Sequence, residues 1–214
     1  MDKQIIALSG MPASGKDTVT SRLCQNFPEF VPFKKFRSVT TDMPLKDTYY
    51  NITVEEFEQK IKNGDFLQYH GRYGRYYGVA EQTLLQCFEQ QLIPIIHIGR
   101  IANFYDLKNG VISCETRHSI SIKLYHILLW ETKEALTERI TLRDKTKDEV
   151  GGRIEAMEQE FQDNISLITS GERPYTAVIR NINISGTCDM IRRVINGEEF
   201  NDGYDEFRRY LGQI

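Results

Sequence analysis

The stretch that decides the fold lies near the amino terminus and reads Lys3-Gln4-Ile5-Ile6-Ala7-Leu8-Ser9-Gly10-Met11-Pro12-Ala13-Ser14-Gly15-Lys16-Asp17-Thr18. Its first seven residues are nearly all apolar, which is typical of a strand buried on both faces of a parallel sheet. The pattern G-x-x-x-x-G-K follows from Gly10 to Lys16, and an amphipathic helix is predicted over residues 16–25. This order predicts an α/β fold, a parallel sheet flanked by helices in three layers.

The turn in this stretch has the composition of a phosphate-binding loop (P-loop). Its glycines let the chain bend tightly, so that backbone N–H groups point inward at nucleotide phosphates. Lys16 adds a mobile positive charge, and the helix that follows directs its positive end at the same oxygens. The predicted ATP-binding residues here are Gly10, Ala13, Ser14, Gly15, Lys16, Asp17 and Thr18.

The sequence departs from the usual pattern at the metal ligand, because Asp17 stands where a Ser or Thr hydroxyl normally meets Mg²⁺. A carboxylate can hold Mg²⁺ directly or through water, or Thr18 can turn inward, and the sequence leaves both open. The strongest strand, residues 92–98, ends without the second aspartate expected to anchor the metal. Asp17 is therefore the candidate Mg²⁺ ligand.

Composition and charge exclude several classes of protein. The chain has 214 residues, of which 40% are hydrophobic and 27% charged, as in ordinary globular domains rather than collagen-like or disordered chains. A net charge of −3 argues against a protein that coats nucleic acid by bulk charge. Phosphate binding must therefore come from basic groups placed locally.

Cysteine spacing and apolar runs indicate the compartment. The four cysteines form no C-x-x-C pair, so we expect reduced thiols rather than a disulfide framework or a zinc site. No apolar run approaches membrane-spanning length, and the first residues lack the hydrophobic core of a signal peptide. These features predict a cytoplasmic protein without a membrane partner; its oligomeric state is left open.

Alternating strands and helices continue along the chain and define its organisation. We predict a P-loop core at residues 1–33 and 83–195, interrupted by a small β-rich insertion at 34–82 that binds the phosphoryl acceptor. Residues 145–152 are charged and end in glycines, which favours a mobile segment. No role is assigned to residues 196–214.

Three arginines flank that charged segment, in the arrangement expected of a helical lid at about residues 139–153. Phosphoryl transfer needs cations over the moving phosphate more than it needs a general base. The planar guanidinium fork binds two phosphate oxygens at once. We therefore predict four catalytic residues: Lys16, Arg139, Arg143 and Arg153.

Several blocks in order make the chain resemble the guanylate kinase family over roughly residues 4–195. They are Ser38–Pro44 (the family's S-x-T-T-R-x-P), Tyr49–Phe57 (Y-x-F-V-S-x-E-E-F), Asn63–Tyr69 (N-G-E-F-L-E-W), Arg75–Val79 (N-Y-Y-G-T), and the helix Thr132–Arg143 followed by Arg153. The resemblance implies a P-loop kinase that uses ATP and Mg²⁺ and phosphorylates a nucleotide. It also implies that Asn181 approaches the adenine.

The departures from the family lie where it binds its acceptor. Two arginines that usually hold the GMP phosphate correspond to Asp42 and Leu45. The glutamate that usually reads guanine is Gln68, and a carboxylate accepts two N–H bonds where an amide offers one acceptor and one donor. A helping hydroxyl is replaced by Val79. We therefore expect an acceptor other than GMP.

Other residues of the insertion can take over acceptor binding. Replacement cations are Lys34, Lys35, Arg37, Lys46, Arg72, Arg75 and Arg100. Among them Arg72 and Arg75 are the candidate phosphate grip, although a solvated basic turn is the alternative. Tyr69, Tyr73, Tyr76 and Tyr77 either stack on a base or fill the core of the insertion. The predicted acceptor-binding set is Ser38, Tyr49, Gln68, Arg72, Arg75, Tyr77 and His97.

Three functions remain open from the sequence. The first is a kinase for a nucleoside monophosphate or a related phosphorylated small molecule. The second is a ribose-bisphosphate-type kinase, which needs no base pocket. The third is a binding module that has lost catalysis, and the retained Gly10, Gly15 and Lys16 argue against it. Recognition of nucleic acid is disfavoured by the overall charge.

Overall fold

A computed structural model describes residues 3–40, 45–72, 74–143 and 146–214. Its strands are β1 (Lys3–Ser9), β2 (Phe30–Pro32), β3 (Lys35–Ser38), β4 (Tyr49–Ile52), β5 (Phe66–Arg72), β6 (Arg75–Ala80), β7 (Ile93–Ile98), β8 (Ile122–Trp130) and β9 (Ala177–Arg180). Its helices are α1 (Lys16–Asn26), α2 (Val54–Asn63), α3 (Glu81–Glu89), α4 (Ile101–His118), α5 (Lys133–Arg143), α6 (Lys147–Ser170), α7 (Ile184–Asn196) and α8 (Tyr204–Leu211).

The strands form two sheets. The five-stranded sheet has the order β2-β7-β1-β8-β9, in which β2 pairs with β7 and β8 with β9 in parallel. Ile5–Leu8 of the central β1 are fully buried, as its unbroken apolar run predicted. The α/β fold with a parallel sheet flanked by helices is confirmed.

The second sheet is the small β-rich element predicted within the insertion. Its order is β4-β3-β6-β5, with β3 parallel to β4 and antiparallel to β6, and with β5 and β6 as a hairpin. Helix α2 begins with a capping box, in which Thr53 and Glu56 each bond the other's backbone N–H, and it ends at the left-handed Gly64. Phe57 of this helix is buried and stacks on Phe66 and Tyr76.

The described residues divide into two compact units. One contains residues 3–5, 29–96 and 102–124, and the other contains residues 6–28, 97–101 and 125–214. The predicted functional boundaries at 33/34 and 82/83 stay a prediction. No helix in the described ranges combines the length and the apolar character that a membrane span requires.

Two parts of the chain differ from the sequence prediction. Helix α4 was missed, because Gly110 interrupts its apolar pattern; that glycine lets the helix approach β5, where an added Cβ would lie 2.1 Å from the carbonyl oxygen of Leu67. Helix α6 begins at Lys147, so the segment predicted to be mobile is helical from that residue on. The Thr146 side chain caps it by accepting a bond from the backbone N–H of Glu149.

The carboxyl-terminal residues, for which the sequence predicted no role, complete a hydrophobic core. Phe207 of α8 is 1% exposed and its ring centroid lies 5.1 Å from that of the buried Trp130. Tyr204 and Leu211 are buried in the same cluster. Asp202 joins the tail to β9 by accepting the backbone N–H of Val178 at 3.1 Å.

Candidate functional site

The loop between β1 and α1 has the backbone geometry of an anion cradle. Gly10 and Gly15 have φ angles of 152° and 93°, which glycine adopts without strain, whereas Ala13 has a left-handed φ of 63°, which is costly for a residue with a Cβ. A Cβ at Gly10 would lie 2.3 Å from the carbonyl oxygen of Leu129, so the loop packs closely against β8. The two glycines therefore serve both the turn and the packing beneath it.

Lys16 folds back over this loop. Its Nζ donates to the carbonyl oxygens of Gly10 and Met11, at 3.0 Å to Met11, and lies 3.4 Å from Ser14 Oγ. The Lys16 side chain is therefore half-buried. An ammonium bonded to loop carbonyls is positioned to exchange them for phosphate oxygens, which bear more negative charge.

Long-range hydrogen bonds fix the loop and the end of β1 that precedes it. The Asn181 side chain donates to the carbonyl oxygen of Ser14 at 2.8 Å and accepts from the Thr187 hydroxyl at 2.9 Å. The hydroxyl of Ser9 lies 2.8 Å from Nε2 of the buried His126, whose Nδ1 lies 3.0 Å from the carbonyl oxygen of Pro174. Since Pro174 can only accept there, Nδ1 carries the proton and Nε2 accepts from Ser9.

Asp17 projects from the first turn of α1 with 91% of its side chain exposed, and Thr18 is exposed beside it. The nearest imidazole is that of His97 at the end of β7, whose Nδ1 lies 3.5 Å from Asp17 Oδ1. Thr20 Oγ1 lies 2.8 Å from Nε2 of the same ring. Divalent cations such as Mg²⁺ prefer oxygen ligands, so an exposed carboxylate beside the loop is a group that could hold one. His97, predicted to bind the acceptor, is thus placed beside α1.

The lid arginines occupy three different settings. Arg139 of α5 reaches the loop, with Nη1 3.5 Å from the carbonyl oxygen of Ala13 and Nη2 3.7 Å from the carboxylate of Glu131. Arg143 is exposed at the end of α5, and Arg153 is half-buried on α6. The predicted lid also includes residues 144 and 145, which lie outside the described residues.

One face of the insertion sheet gathers polar and cationic side chains. The register pairs Arg37 with Tyr77 and Tyr77 with His70, so these three point to one side in a row across β3, β6 and β5. Lys35 lies two residues from Arg37 on the same side, and Arg72 pairs with Arg75 across the hairpin turn. We call this surface the cationic face.

Two of its cations are buried. Lys35 is 8% exposed and Arg37 is 1% exposed, and the Arg37 guanidinium lies 5.3 Å from the ring centroid of Tyr49. Burial lowers the pKa of Lys35 to about 8. Lys35 and Arg37 were both among the replacement cations predicted from the sequence, where Arg72 and Arg75 were favoured. The alternation Lys35-Phe36-Arg37 in a short strand is the signal that places both residues on one face.

Gln68 and His70 form a pair on the same face. Gln68 is 2% exposed, and its Nε2 lies 2.9 Å from His70 Nδ1. An amide nitrogen only donates, so Nδ1 accepts and the imidazole carries its proton on Nε2. Burial, followed by the charges of Lys35 and Arg72, lowers the pKa of His70 to about 4. Among the residues with described placement, none donates to Gln68 Oε1, which is left as a buried acceptor.

The remaining acceptor residues divide between the face and the core. Tyr49 and Tyr77 make an edge contact at 5.7 Å, and Tyr77 also stacks on His70 at 5.6 Å. Ser38 is buried and its hydroxyl accepts the backbone N–H of Tyr76 at 2.8 Å, while Tyr76 itself packs on Phe57. Asp42 and Tyr73 lie outside the described residues.

A small cavity beside the P-loop involves groups that the sequence analysis did not single out. Buried Glu160 and Asn164 of α6 line it with Gly10 and Arg100. Asn164 accepts the Tyr175 hydroxyl at 2.7 Å. These polar side chains lie on the buried side of an amphipathic helix. The only sequence signal for them is a Glu and an Asn at positions where the helical periodicity predicts apolar residues.

Comparison with known proteins gives one consistent result. A family model for guanylate kinase matches residues 2–198. The chain is 27% identical over 165 residues to a guanylate kinase of Mesomycoplasma hyopneumoniae (strain 7448), covering 74% of this chain and 81% of that protein. It is 24% identical over 201 residues to a guanylate kinase of Clostridium tetani (strain Massachusetts / E88), covering 91% and 86%.

The fold is also similar to a solved structure. The crystal structure of guanylate kinase from Anaplasma phagocytophilum matches with a TM-score of 0.59 and 19% identity, covering 96% of this chain and 93% of that one. At this identity the likeness concerns the fold.

Proposed function

Because the chain belongs to the guanylate kinase family, we propose that it is an ATP-dependent kinase that transfers the γ-phosphate to a nucleoside monophosphate, or a related phosphorylated small molecule, other than GMP. The observation that carries the first half is the glycine loop with its positive φ angles and with Lys16 folded over it. The second half rests on the cationic face. There Gln68 stands at the position of the glutamate that usually reads guanine, and its amide nitrogen is bonded to His70.

The donor half derives from the P-loop. Backbone N–H groups of the loop hold the ATP phosphates, and Lys16 leaves the carbonyl oxygens of Gly10 and Met11 for phosphate oxygens. Mg²⁺, held by Asp17 beside the loop, would neutralise charge on the phosphates when bound. Arg139 is already next to Ala13, and with Arg143 and Arg153 it stabilises charge on the γ-phosphate as an acceptor phosphate oxygen attacks it and ADP departs.

The acceptor half derives from the cationic face. Arg37, Lys35, Arg72 and Arg75 supply positive charge for the acceptor phosphate, and Tyr49 and Tyr77 supply aromatic surface. Gln68 uses its amide nitrogen on His70, so only its oxygen remains to read a substrate. A single acceptor satisfies one of guanine's two adjacent N–H donors, and an unmet buried polar group costs about 1–3 kcal/mol. A ligand presenting one donor at that point is better matched.

A substrate panel tests this function. Purified protein with ATP and Mg²⁺ is assayed for ADP release with GMP, AMP, CMP, UMP, dTMP and ribose 1,5-bisphosphate, with Lys16→Ala as the inactive control and Lys62→Ala as the matched exposed lysine. We expect phosphorylation of at least one acceptor other than GMP with kcat/KM at least tenfold above that for GMP. GMP as the preferred substrate would overturn the acceptor assignment. No ADP release with any acceptor in the panel would overturn the proposal that the protein is a kinase.

The ribose-bisphosphate-type kinase is the second candidate, favoured by one observation. Four cations lie on the cationic face, more than one phosphate requires, and a bisphosphate would engage them without a base. Turnover of ribose 1,5-bisphosphate but of no nucleotide in the panel would select this candidate. ATP binding without any turnover would instead support a binding module.

A further inference from the structure

Two positions at which this chain departs from the expected metal-binding pattern lie next to each other. Asp17 replaces the usual hydroxyl residue after the P-loop lysine, and His97 stands at the end of the strand where an aspartate was expected. Asp17 Oδ1 and His97 Nδ1 are 3.5 Å apart. Neither substitution suggests a metal site alone, but together they bring a carboxylate oxygen and an imidazole nitrogen to the edge of the phosphate cradle.

The separation of these two atoms suits a shared cation. Ligand atoms at about 2.0–2.2 Å from one metal ion lie about 3.0–3.5 Å apart when they occupy neighbouring coordination positions. Both residues are anchored on regular elements, Asp17 on α1 and His97 on β7. A P-loop metal needs few protein ligands, because phosphate oxygens and water complete its coordination.

Thr20 supports this arrangement from the other side of the ring. Its Oγ1 lies 2.8 Å from His97 Nε2 and is buried one turn along α1 from Asp17. When Nε2–H donates to that hydroxyl, the lone pair of Nδ1 faces the Asp17 carboxylate. Hydrogen bonds of this kind commonly orient a histidine ligand and set its tautomer.

We propose that Asp17 and His97 together bind the divalent cation that accompanies ATP, and that this mixed oxygen and nitrogen pair favours Mn²⁺ over Mg²⁺. The inference rests on the proposed function for its nucleotide. Mg²⁺ prefers oxygen ligands and gives up its waters reluctantly, whereas Mn²⁺ accepts imidazole more readily. Asp17 is thus the oxygen ligand and His97 a nitrogen ligand that the sequence analysis had placed with the acceptor.

Pulsed electron paramagnetic resonance tests the assignment directly. The full-length protein is loaded with Mn²⁺ and a non-hydrolysable ATP analogue, and the nitrogen coupling to the metal is recorded. We expect an imidazole ¹⁴N coupling in the wild type that disappears in His97→Asn and persists in His118→Asn, a histidine exposed on α4. The Mn²⁺ dissociation constant should rise about 10- to 100-fold in His97→Asn.

A second variant separates the role of the imidazole from a loss of folding. His97→Asp should keep the thermal midpoint of His97→Asn but shift the metal preference toward Mg²⁺, measured as the ratio of the two dissociation constants. Bound Mn²⁺ and analogue without nitrogen coupling would overturn the inference and leave the kinase assignment intact. Nitrogen coupling in a protein that phosphorylates nothing in the substrate panel would overturn the kinase and leave the metal pair standing.

Discussion

Asn181, at the end of β9, donates a buried hydrogen bond of 2.8 Å to the carbonyl oxygen of Ser14 in the P-loop, 167 residues earlier in the chain. The side-chain oxygen of Asn181 accepts a hydrogen bond from the Thr187 hydroxyl on α7. One side chain thus connects the last strand and the last long helix to the phosphate cradle. The family resemblance suggested that Asn181 approaches the adenine, and its contacts now indicate support of the loop.

Replacing Asn181 with Ala is expected to weaken ATP binding and to lower the free energy of unfolding by about 1–3 kcal/mol, because it leaves buried partners unsatisfied. Calorimetric titration with ATP and chemical denaturation measure the two effects. Asn196→Ala, at an exposed amide at the end of α7, is the control and should change neither. Unchanged ATP affinity in Asn181→Ala would contradict the supporting role.

Gly10→Ala and Gly151→Ala should act in opposite directions. At Gly10 the φ of 152° and a Cβ 2.3 Å from Leu129 O force the loop to move, so ATP affinity and stability both fall. At Gly151, inside α6, a Cβ meets no atom of the described residues within 4 Å, and the free energy of unfolding should rise by about 0.5–1 kcal/mol. Thermal midpoints of both variants decide the matter; a stable, ATP-binding Gly10→Ala protein would contradict the cradle geometry.

Stability should decline as the pH falls below about 6.5. Burial lowers the pKa of His126 to about 3 and that of His70 to about 4, against 6.5 for an ordinary histidine. The unfolded chain therefore binds protons first, and each histidine contributes up to about 1.4 kcal/mol of destabilisation per pH unit within this window. Denaturation at pH 7 and pH 5 should show a smaller loss in His126→Gln than in the wild type. Equal losses would place the acid sensitivity elsewhere.

The Phe207→Ala substitution should lower the free energy of unfolding by about 3–5 kcal/mol, since the ring is buried against Trp130. Phe207→Leu should cost less, because it keeps most of the apolar volume. Ile214→Ala, at a half-exposed side chain, should have little effect. If Phe207→Ala melts with the wild type, α8 does not contribute to the core.

Gln68→Glu is expected to raise kcat/KM for GMP by at least tenfold, because a carboxylate accepts both N–H bonds of guanine. The cations of the cationic face lie on the same side of the sheet, so the added charge is tolerated. Gln59→Glu, at an exposed position of α2, adds the same charge away from the face and should leave specificity unchanged. An unchanged GMP rate in Gln68→Glu would remove Gln68 from acceptor recognition.

Much of the fold could be predicted because local rules coincide with tertiary burial. The unbroken apolar run of β1 and the capping signals at Thr53 and Gly64 lead to the same strand and helix in the structure. Helix α4 was not predicted, because Gly110 weakens the local helix signal. The same glycine is required in the structure, since a side chain there would clash with β5. Gly151 and Gly152 likewise favoured a mobile segment in the sequence, but they lie inside α6, whose amino terminus is capped by Thr146.

The candidate site shows the same division. The glycine spacing and Lys16 could be identified from the chain because a phosphate loop is a local structure. The burial of Lys35 and Arg37, the pairing of Gln68 with His70 and the contact between Asp17 and His97 depend on strands that meet only after folding. Sequence spacing alone does not predict which of the seven replacement cations shares a face of the sheet with an aromatic ring.

The sequence by itself determined the α/β class, the glycine loop that we assign to phosphate binding, and the family resemblance, because each is encoded by contiguous residues whose backbone preferences and periodicity act locally. Only the tertiary structure decided that Asn181 supports Ser14, that α8 closes a core around Trp130, and that His97 stands beside Asp17. These relationships join residues far apart in the chain. Their energies come from burial and from hydrogen bonds in a low-dielectric interior, which exist only once the strands and helices have packed.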